Sequence, residues 1–180
     1  TCGNMAQTSQ AAIAAALLDD PRVTAIGVHI EGFGDLAAWE VLAQKARDKG
    51  VPIVALKVGR SDQAQAATVS HTASLAGGDA GAQAVLDRLG IARLSSLPAF
   101  LETLKLLHVT GGLSSNRIAS ISCSGGEASL AADTAYGRNV VFPPLNDRQR
   151  GDLAAALGPM VALANPLDYH TYIWRDTDAM

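Results

Sequence analysis

The sequence predicts an α/β protein made of two parallel-sheet units. Two observations carry this. Apolar runs over 23–30 and 52–58 flank a single amphipathic helical stretch, the pattern of strand, crossover helix and parallel strand. A second strand-then-helix pattern starts near residue 117, after the Gly- and Ser-containing stretch Thr110-Gly111-Gly112-Leu113-Ser114-Ser115-Asn116.

Residues 6–18 are rich in Ala and favour helix, with Ile13, Leu17 and Leu18 forming an apolar face, and Asp20-Pro21 ends the helix. The run over 23–30 is almost continuously apolar, as in a strand covered on both faces. Asp35 is placed to N-cap the next helix. That helix turns Leu36, Trp39, Leu42, Ala43 and Ala46 inward and stops at Gly50. Residues 52–58 form the second buried strand.

The pattern then breaks. From Gly59 to Asp79 the chain is small and polar, with room for a short helix over 62–67 and a loop beyond it that runs to Gly77-Gly78. Long loops in compact α/β units are uncommon and are often functional. A helix over 80–89 ending at Gly90, a short strand over 91–94 and a helix over 97–107 follow, Pro98 being tolerated in a first turn. Beyond the linker come a strand over 117–123, the turn Ser124-Gly125-Gly126-Glu127, a helix to about Tyr136, strands over 140–142 and 161–163, and between those strands a helix capped by Asn146. Asn165-Pro166-Leu167-Asp168 reads as a turn at a cleft mouth. The boundary between units is expected near residue 113, and both halves read as flavodoxin-like.

Composition limits function. Of 180 residues, 48% are hydrophobic and 17% charged, so the chain can bury a core. A net charge of -3 offers no basic footprint for nucleic acid, and no basic stretch suggests a membrane surface. No apolar run approaches the roughly 18 residues of a membrane helix. With only Cys2 and Cys123, reduced thiols and a cytoplasmic location are expected. The chain starts at Thr1 and stops at Met180 without a closing element, which reads as a polypeptide truncated at both ends.

Candidate chemistry gathers where strands end. His71 lies in the long small-residue stretch, on the side of an open α/β sheet where ligands bind, and a histidine there can serve as base, ligand or nucleophile. Alone it also fits an exposed or capping histidine. Glu31 ends the first strand, next to glycines; it could orient an imidazole, although by itself it reads as a solvated loop acid. Ser124-Gly125-Gly126 joins a strand directly to a helix. That is either a tight turn or a seat for phosphate at the helix N-terminus. Lys57 and Arg60 flank the start of the long stretch and could hold phosphate charge, though each alone reads as a surface cation. His29, His71, His108 and His170 are too scattered for a metal site, and no Gly-x-Ser-x-Gly elbow supports a serine hydrolase.

Together these residues resemble a known family. Glu31-Gly32, Val54-Ala55-Leu56-Lys57-Val58-Gly59-Arg60-Ser61 and Ser70-His71-Thr72-Ala73-Ser74-Leu75-Ala76-Gly77 are similar to the second domain of NDP-forming acyl-CoA synthetases, relatives of the succinyl-CoA synthetase α subunit and of ADP-forming acetyl-CoA synthetase. Ser122-Cys123-Ser124-Gly125-Gly126-Glu127 and Asn165-Pro166-Leu167-Asp168 resemble the start of the ligase domain that follows in those proteins.

The resemblance implies that 1–113 is the part carrying a phosphohistidine loop and 114–180 the opening part of the ligase domain. It implies an acid–CoA ligase that interconverts a carboxylic acid, CoA and ATP with acyl-CoA, ADP and phosphate. His71 would be the phosphorylated histidine and Glu31 its orienting carboxylate. Ser70, Thr72, Ser124, Gly125 and Gly126 would bind the phosphoryl group. It further implies CoA and ATP or ADP with Mg²⁺, none bound entirely within this chain, and a CoA-binding domain and an ATP-grasp domain from the same protein or a partner subunit. A homo-oligomer, small aliphatic or aromatic acid substrates, and no turnover by the chain alone are implied as well.

One departure from the family pattern matters: the Ser-x-Ser-Gly-type turn that precedes Gly3-Asn4 in such proteins is missing here. A second reading is non-catalytic, since the same module serves as a regulatory part of some protein lysine acetyltransferases, where the histidine is typically lost. A plain flavodoxin-like binding module is the third reading. The presence of His71 with Glu31 favours the ligase.

Overall fold

A computed structural model describes residues 7–72, 78–171, 174, 177 and 178, with the backbone alone for 68–72. The chain divides into two units, Thr1–Leu113 and Ser114–Met180, each described by itself.

In the first unit the helices begin and end where local chemistry allows. Helix α1 (Gln10–Leu17) is capped by Ser9, whose side chain accepts from the Ala12 amide. Strand β1 (Ile26–Ile30) leads to α2 (Leu36–Lys49), capped by the Asp35 carboxylate and closed by Gly50 in the left-handed conformation at φ 67°. Strand β2 (Ile53–Lys57) is followed by α3 (Asp62–Thr72), α4 (Asp79–Leu89), β3 (Ala92–Leu94) and α5 (Leu97–Thr110). The sheet is parallel in the order β1-β2-β3, with Ile30 opposite Lys57 and Ala55 opposite Arg93.

Both faces of this sheet are covered. Ile26, Val28 and Ile30 join one apolar cluster with Trp39 and Leu42 of α2 and Leu86 of α4. Successive side chains alternate between faces, so Gly27 lies on the other side. There α5 comes so close that a Cβ on Gly27 would stand 2.5 Å from Phe100 Cζ and 2.6 Å from Leu104 Cδ1. A glycine is the residue that admits this approach.

Several boundaries differ from the sequence reading. The strands are shorter because only paired residues count, and β1 starts at Ile26 rather than at 23. Leu36 is 47% exposed instead of inward, since it holds the first helical position, just after the cap. The largest difference is α3. It continues through Thr72, so the backbone of His71 lies in a helix and not in a loop. Ser61 Oγ accepts from the Ala64 amide at 3.2 Å, and the Ala- and Gln-rich start then propagates at one hydrogen bond per added residue.

The second unit contains β4 (Ile121–Ser122), α6 (Gly125–Ala135), α7 (Asp147–Leu157) and β5 (Leu167–Asp168), with β4 and β5 parallel. Helix α7 opens with a reciprocal capping box between Asn146 and Gln149. The strand expected over 117–123 is cut to two residues plus an isolated bridge, Arg117 with Val141; that bridge is all that forms of the strand expected over 140–142. No strand forms over 161–163, and Leu167-Asp168, read as a turn, is a strand. A brace replaces the missing ladder bonds: the Asn165 side chain donates to the carbonyls of Ile118 (2.9 Å) and Pro143 (3.1 Å) and accepts from the Ser120 amide (3.2 Å).

Candidate functional site

The C-terminal ends of β1, β2 and β3 form the edge where an open parallel sheet binds ligands. Glu31 follows β1 there and is partly buried; among the described residues no hydrogen bond reaches its carboxylate. The turn after it is held from below. Trp39, fully buried, donates its indole N–H to the Phe33 carbonyl at 2.7 Å, and the two rings meet edge to face at 5.4 Å.

Lys57 is not a surface cation. It ends β2 with 6% exposure, the one buried charged residue among those described. Its face of the strand is that of Ile53 and Ala55, which belong to the apolar cluster, so the side chain rises through the core side of the sheet. The ammonium donates to the carbonyls of Glu31, at 2.9 Å, and of Val58. Burial, aided by the like charge of Arg93, holds its pKa below the ordinary lysine value, while Asp79 and Glu31 oppose that shift.

Arg93 and Asp79 complete this edge, and the sequence reading singled out neither. Arg93 Nη2 lies 2.6 Å from Asp79 Oδ1, with side-chain exposures of 15% and 30%. The same guanidinium reaches Gln83 Oε1 at 3.3 Å and the Lys57 carbonyl at 3.4 Å. Its hydrogen bond is the main reason that the Asp79 carboxyl sits below the ordinary aspartate range. A signal was present: Arg93 is the one charge in the short run Ile91-Ala92-Arg93-Leu94, at a strand's C-terminal end. Arg60 is the surface cation it was read as, 83% exposed and 3.8 Å from Asp79 Oδ2.

Lys57, Arg60, Asp79 and Arg93 are thus brought together, with the Glu31 backbone joined to them through Lys57. Ser70, His71 and Thr72 lie on the last turn of α3; their side chains, residues 73–77 and Gly3-Asn4 fall outside the described residues. An open apolar groove of about 210 Å³, bordered by Val51, Pro52 and Ile91, lies at the opposite edge of the sheet, away from these groups.

In the second unit, Ser124 is the N-cap of α6 and its side chain makes no capping bond. Gly125 and Gly126 are the first helical residues, so they bring no side chains of their own to the free amides of the first turn. Asp168, at the end of β5, faces this turn: a Cβ on Gly125 would stand 3.3 Å from its Oδ2. Its other oxygen accepts from the His170 amide at 3.0 Å. Among the described residues no three His, Cys, Asp or Glu side chains converge as a metal site, and no helix is long and apolar enough to cross a membrane.

The family described as the succinyl-CoA ligase like flavodoxin domain matches residues 1–107. The chain belongs to it, and so to the NDP-forming acyl-CoA synthetases. It is 31% identical, over 92% of its length, to an ADP-forming acetate–CoA ligase of Methanocaldococcus jannaschii and spans 23% of that protein. It is 32% identical, again over 92%, to the alpha subunit of ADP-forming acetate–CoA ligase II of Pyrococcus furiosus and spans 36% of it. Among solved structures, the acetyl-coenzyme A synthetase 1 of Candidatus Korarchaeum cryptofilum, in complex with phosphate and ADP, superposes with a TM-score of 0.81 at 22% identity, over 93% of this chain and 36% of that one. This superposition shows the fold: mixed α/β with parallel sheets and a flavodoxin-like domain.

Proposed function

We propose that this chain is the phosphoryl-carrying part of an acid–CoA ligase, with His71 as carrier. In this reading 1–113 is the carrier domain and 114–180 opens the ligase domain. The observation that carries it is Ser70-His71-Thr72-Ala73-Ser74-Leu75-Ala76-Gly77, which lies within the region matched by the family. Also in its support, this segment follows a strand that ends at the ligand-binding edge of a parallel sheet.

The reaction proceeds in three steps. Phosphate attacks the thioester carbonyl of an acyl-CoA; the C–S bond breaks and CoA leaves, giving an acyl phosphate. An imidazole nitrogen of His71 then attacks phosphorus, the P–N bond forms, and the carboxylate departs with the electrons of the broken P–O bond. Finally the terminal oxygen of ADP attacks that phosphorus, the P–N bond breaks, and ATP and neutral imidazole result. Each step also runs in reverse.

A neutral imidazole is a competent nucleophile near pH 7. Glu31 holds one ring nitrogen so that the other is free to attack. Ser70 and Thr72 beside the histidine, and the open first turn of α6 at Ser124, Gly125 and Gly126, receive the dianionic phosphoryl group. CoA and the Mg²⁺-bound adenine nucleotide are held by a CoA-binding domain and an ATP-grasp domain elsewhere in the protein or in a partner subunit, the whole assembling as a cytoplasmic homo-oligomer. Small carboxylic acids are the substrates.

The test is CoA-thioester formation from acid, CoA and ATP by the intact ligase. His71→Ala abolishes it, and Glu31→Gln lowers it strongly. A His71→Ala protein with wild-type turnover overturns the proposal.

A further inference from the structure

The stretch that carries His71 leaves the sheet after Lys57 and ends where α4 begins, at Asp79. Both of its ends are tied to one side chain. Arg93, on the neighbouring strand, meets Asp79 at 2.6 Å, Gln83 one turn further along α4 at 3.3 Å, and the carbonyl of Lys57 at 3.4 Å. By register Arg93 pairs with Ala55, which puts it on the same face of the sheet as Lys57. Lys57 in turn holds the carbonyls of Glu31 and Val58. Arg60 adds an outer, exposed contact to Asp79 at 3.8 Å.

We infer that Arg93 and Asp79 are positioning residues for the phosphoryl carrier: they fasten the two ends of the 58–79 stretch together, so that the placing of His71 relative to Glu31 is fixed at its base. The inference rests on the carrier reading above and adds two residues to it. The N-cap of α4 is Gly78, which offers no side-chain cap; what ties the first turns of this helix down is Arg93, which donates to Asp79 and Gln83 from the neighbouring strand. A guanidinium suits the task because its planar donors can engage three acceptors at once, which a lysine ammonium at that point does not match in geometry. Neither residue needs to touch phosphate, and each acts through the backbone that it holds.

The test measures the rate at which the intact ligase takes acid-labile phosphate from ATP and Mg²⁺, in wild type, Asp79→Asn, Arg93→Met, the double variant and Arg93→Lys. Each single variant is expected to label at least about tenfold more slowly at saturating ATP with an unchanged KM for ATP. The double variant is expected to be no slower than the slower single, because the two act as one unit. Arg93→Lys should fall between. Asp79→Asn is nearly isosteric at a partly exposed position, so it provides a folded variant if Arg93→Met does not fold. Wild-type labelling rates in Asp79→Asn, or losses that multiply in the double variant, overturn the inference and leave the carrier reading standing. A wild-type ligase that takes no label overturns both.

Discussion

The Lys57 ammonium donates to the backbone carbonyl of Glu31 across 2.9 Å, fastening the residue after β1 to the end of β2. A buried cation thus serves as a structural donor at the sheet edge where ligands are expected. Truncating it to methionine leaves two carbonyls without this donor while keeping the apolar volume. Removing one partner of a buried hydrogen bond costs about 1–3 kcal/mol. Lys57→Met is therefore expected to lower the stability of this chain by about that amount, read from its urea midpoint at unchanged slope.

The Asp79 carboxyl titrates below the ordinary aspartate value of 3.8, chiefly because Arg93 donates to it. The unfolded chain then binds the proton more readily than the folded one, so stability rises with pH through this range. The contribution is fully present above the unfolded value and is lost as pH falls through the lower, folded one. Asp79→Asn is expected to flatten part of the acid limb below about pH 4. Thermal melts between neutral and acidic pH check this, with Asp79→Glu expected to retain the limb.

Gly27 lies beneath Phe100 with no room for a methyl group, the clash distance being 2.5 Å. Overpacking of this kind costs about 1–3 kcal/mol. Gly27→Ala should lower the melting temperature without changing any ligand affinity at the opposite end of the strand.

Gly125 differs, because it opens α6 beside Asp168 and its added Cβ would meet only the carboxylate, at 3.3 Å. Alanine is favourable in a helix, so Gly125→Ala should change stability by less than about 1 kcal/mol. With the phosphoryl group docked on the amides of this turn as proposed, the added methyl crowds its approach, and the same change should slow its transfer by on the order of tenfold, as much as weakening one hydrogen bond would. Phosphate transfer and melting measured on one preparation separate the two effects.

These residues also show which parts of the molecule were legible in the sequence. The Asp35 cap, the Gly50 and Gly90 stops and the inward face of Trp39, Leu42, Ala43 and Ala46 follow from chemistry within a few positions of each residue, and they form as read. The extension of α3 through Thr72 was missed because Thr68 and Val69 favour helix weakly, whereas the Ala-rich turn before them propagates. The depth of Lys57 depends on what packs above it, and the Arg93–Asp79 pair joins two elements. Neither is encoded locally. The short strands of the second unit were over-read for the same reason: a strand exists only with its partner, and at 117–123 the Asn165 side chain takes over part of that role. The motif around His71 points to the family that matches residues 1–107, while the helical setting of its backbone was not legible.

The most direct measurement loads the intact ligase with ATP labelled in the terminal phosphate, in the presence of Mg²⁺, and maps the label by peptide mass spectrometry. The predicted result is one acid-labile phosphoryl group per chain on His71, discharged by acid and CoA and absent from His71→Ala. A wild-type protein that takes no label, or that carries it on another residue, contradicts the account.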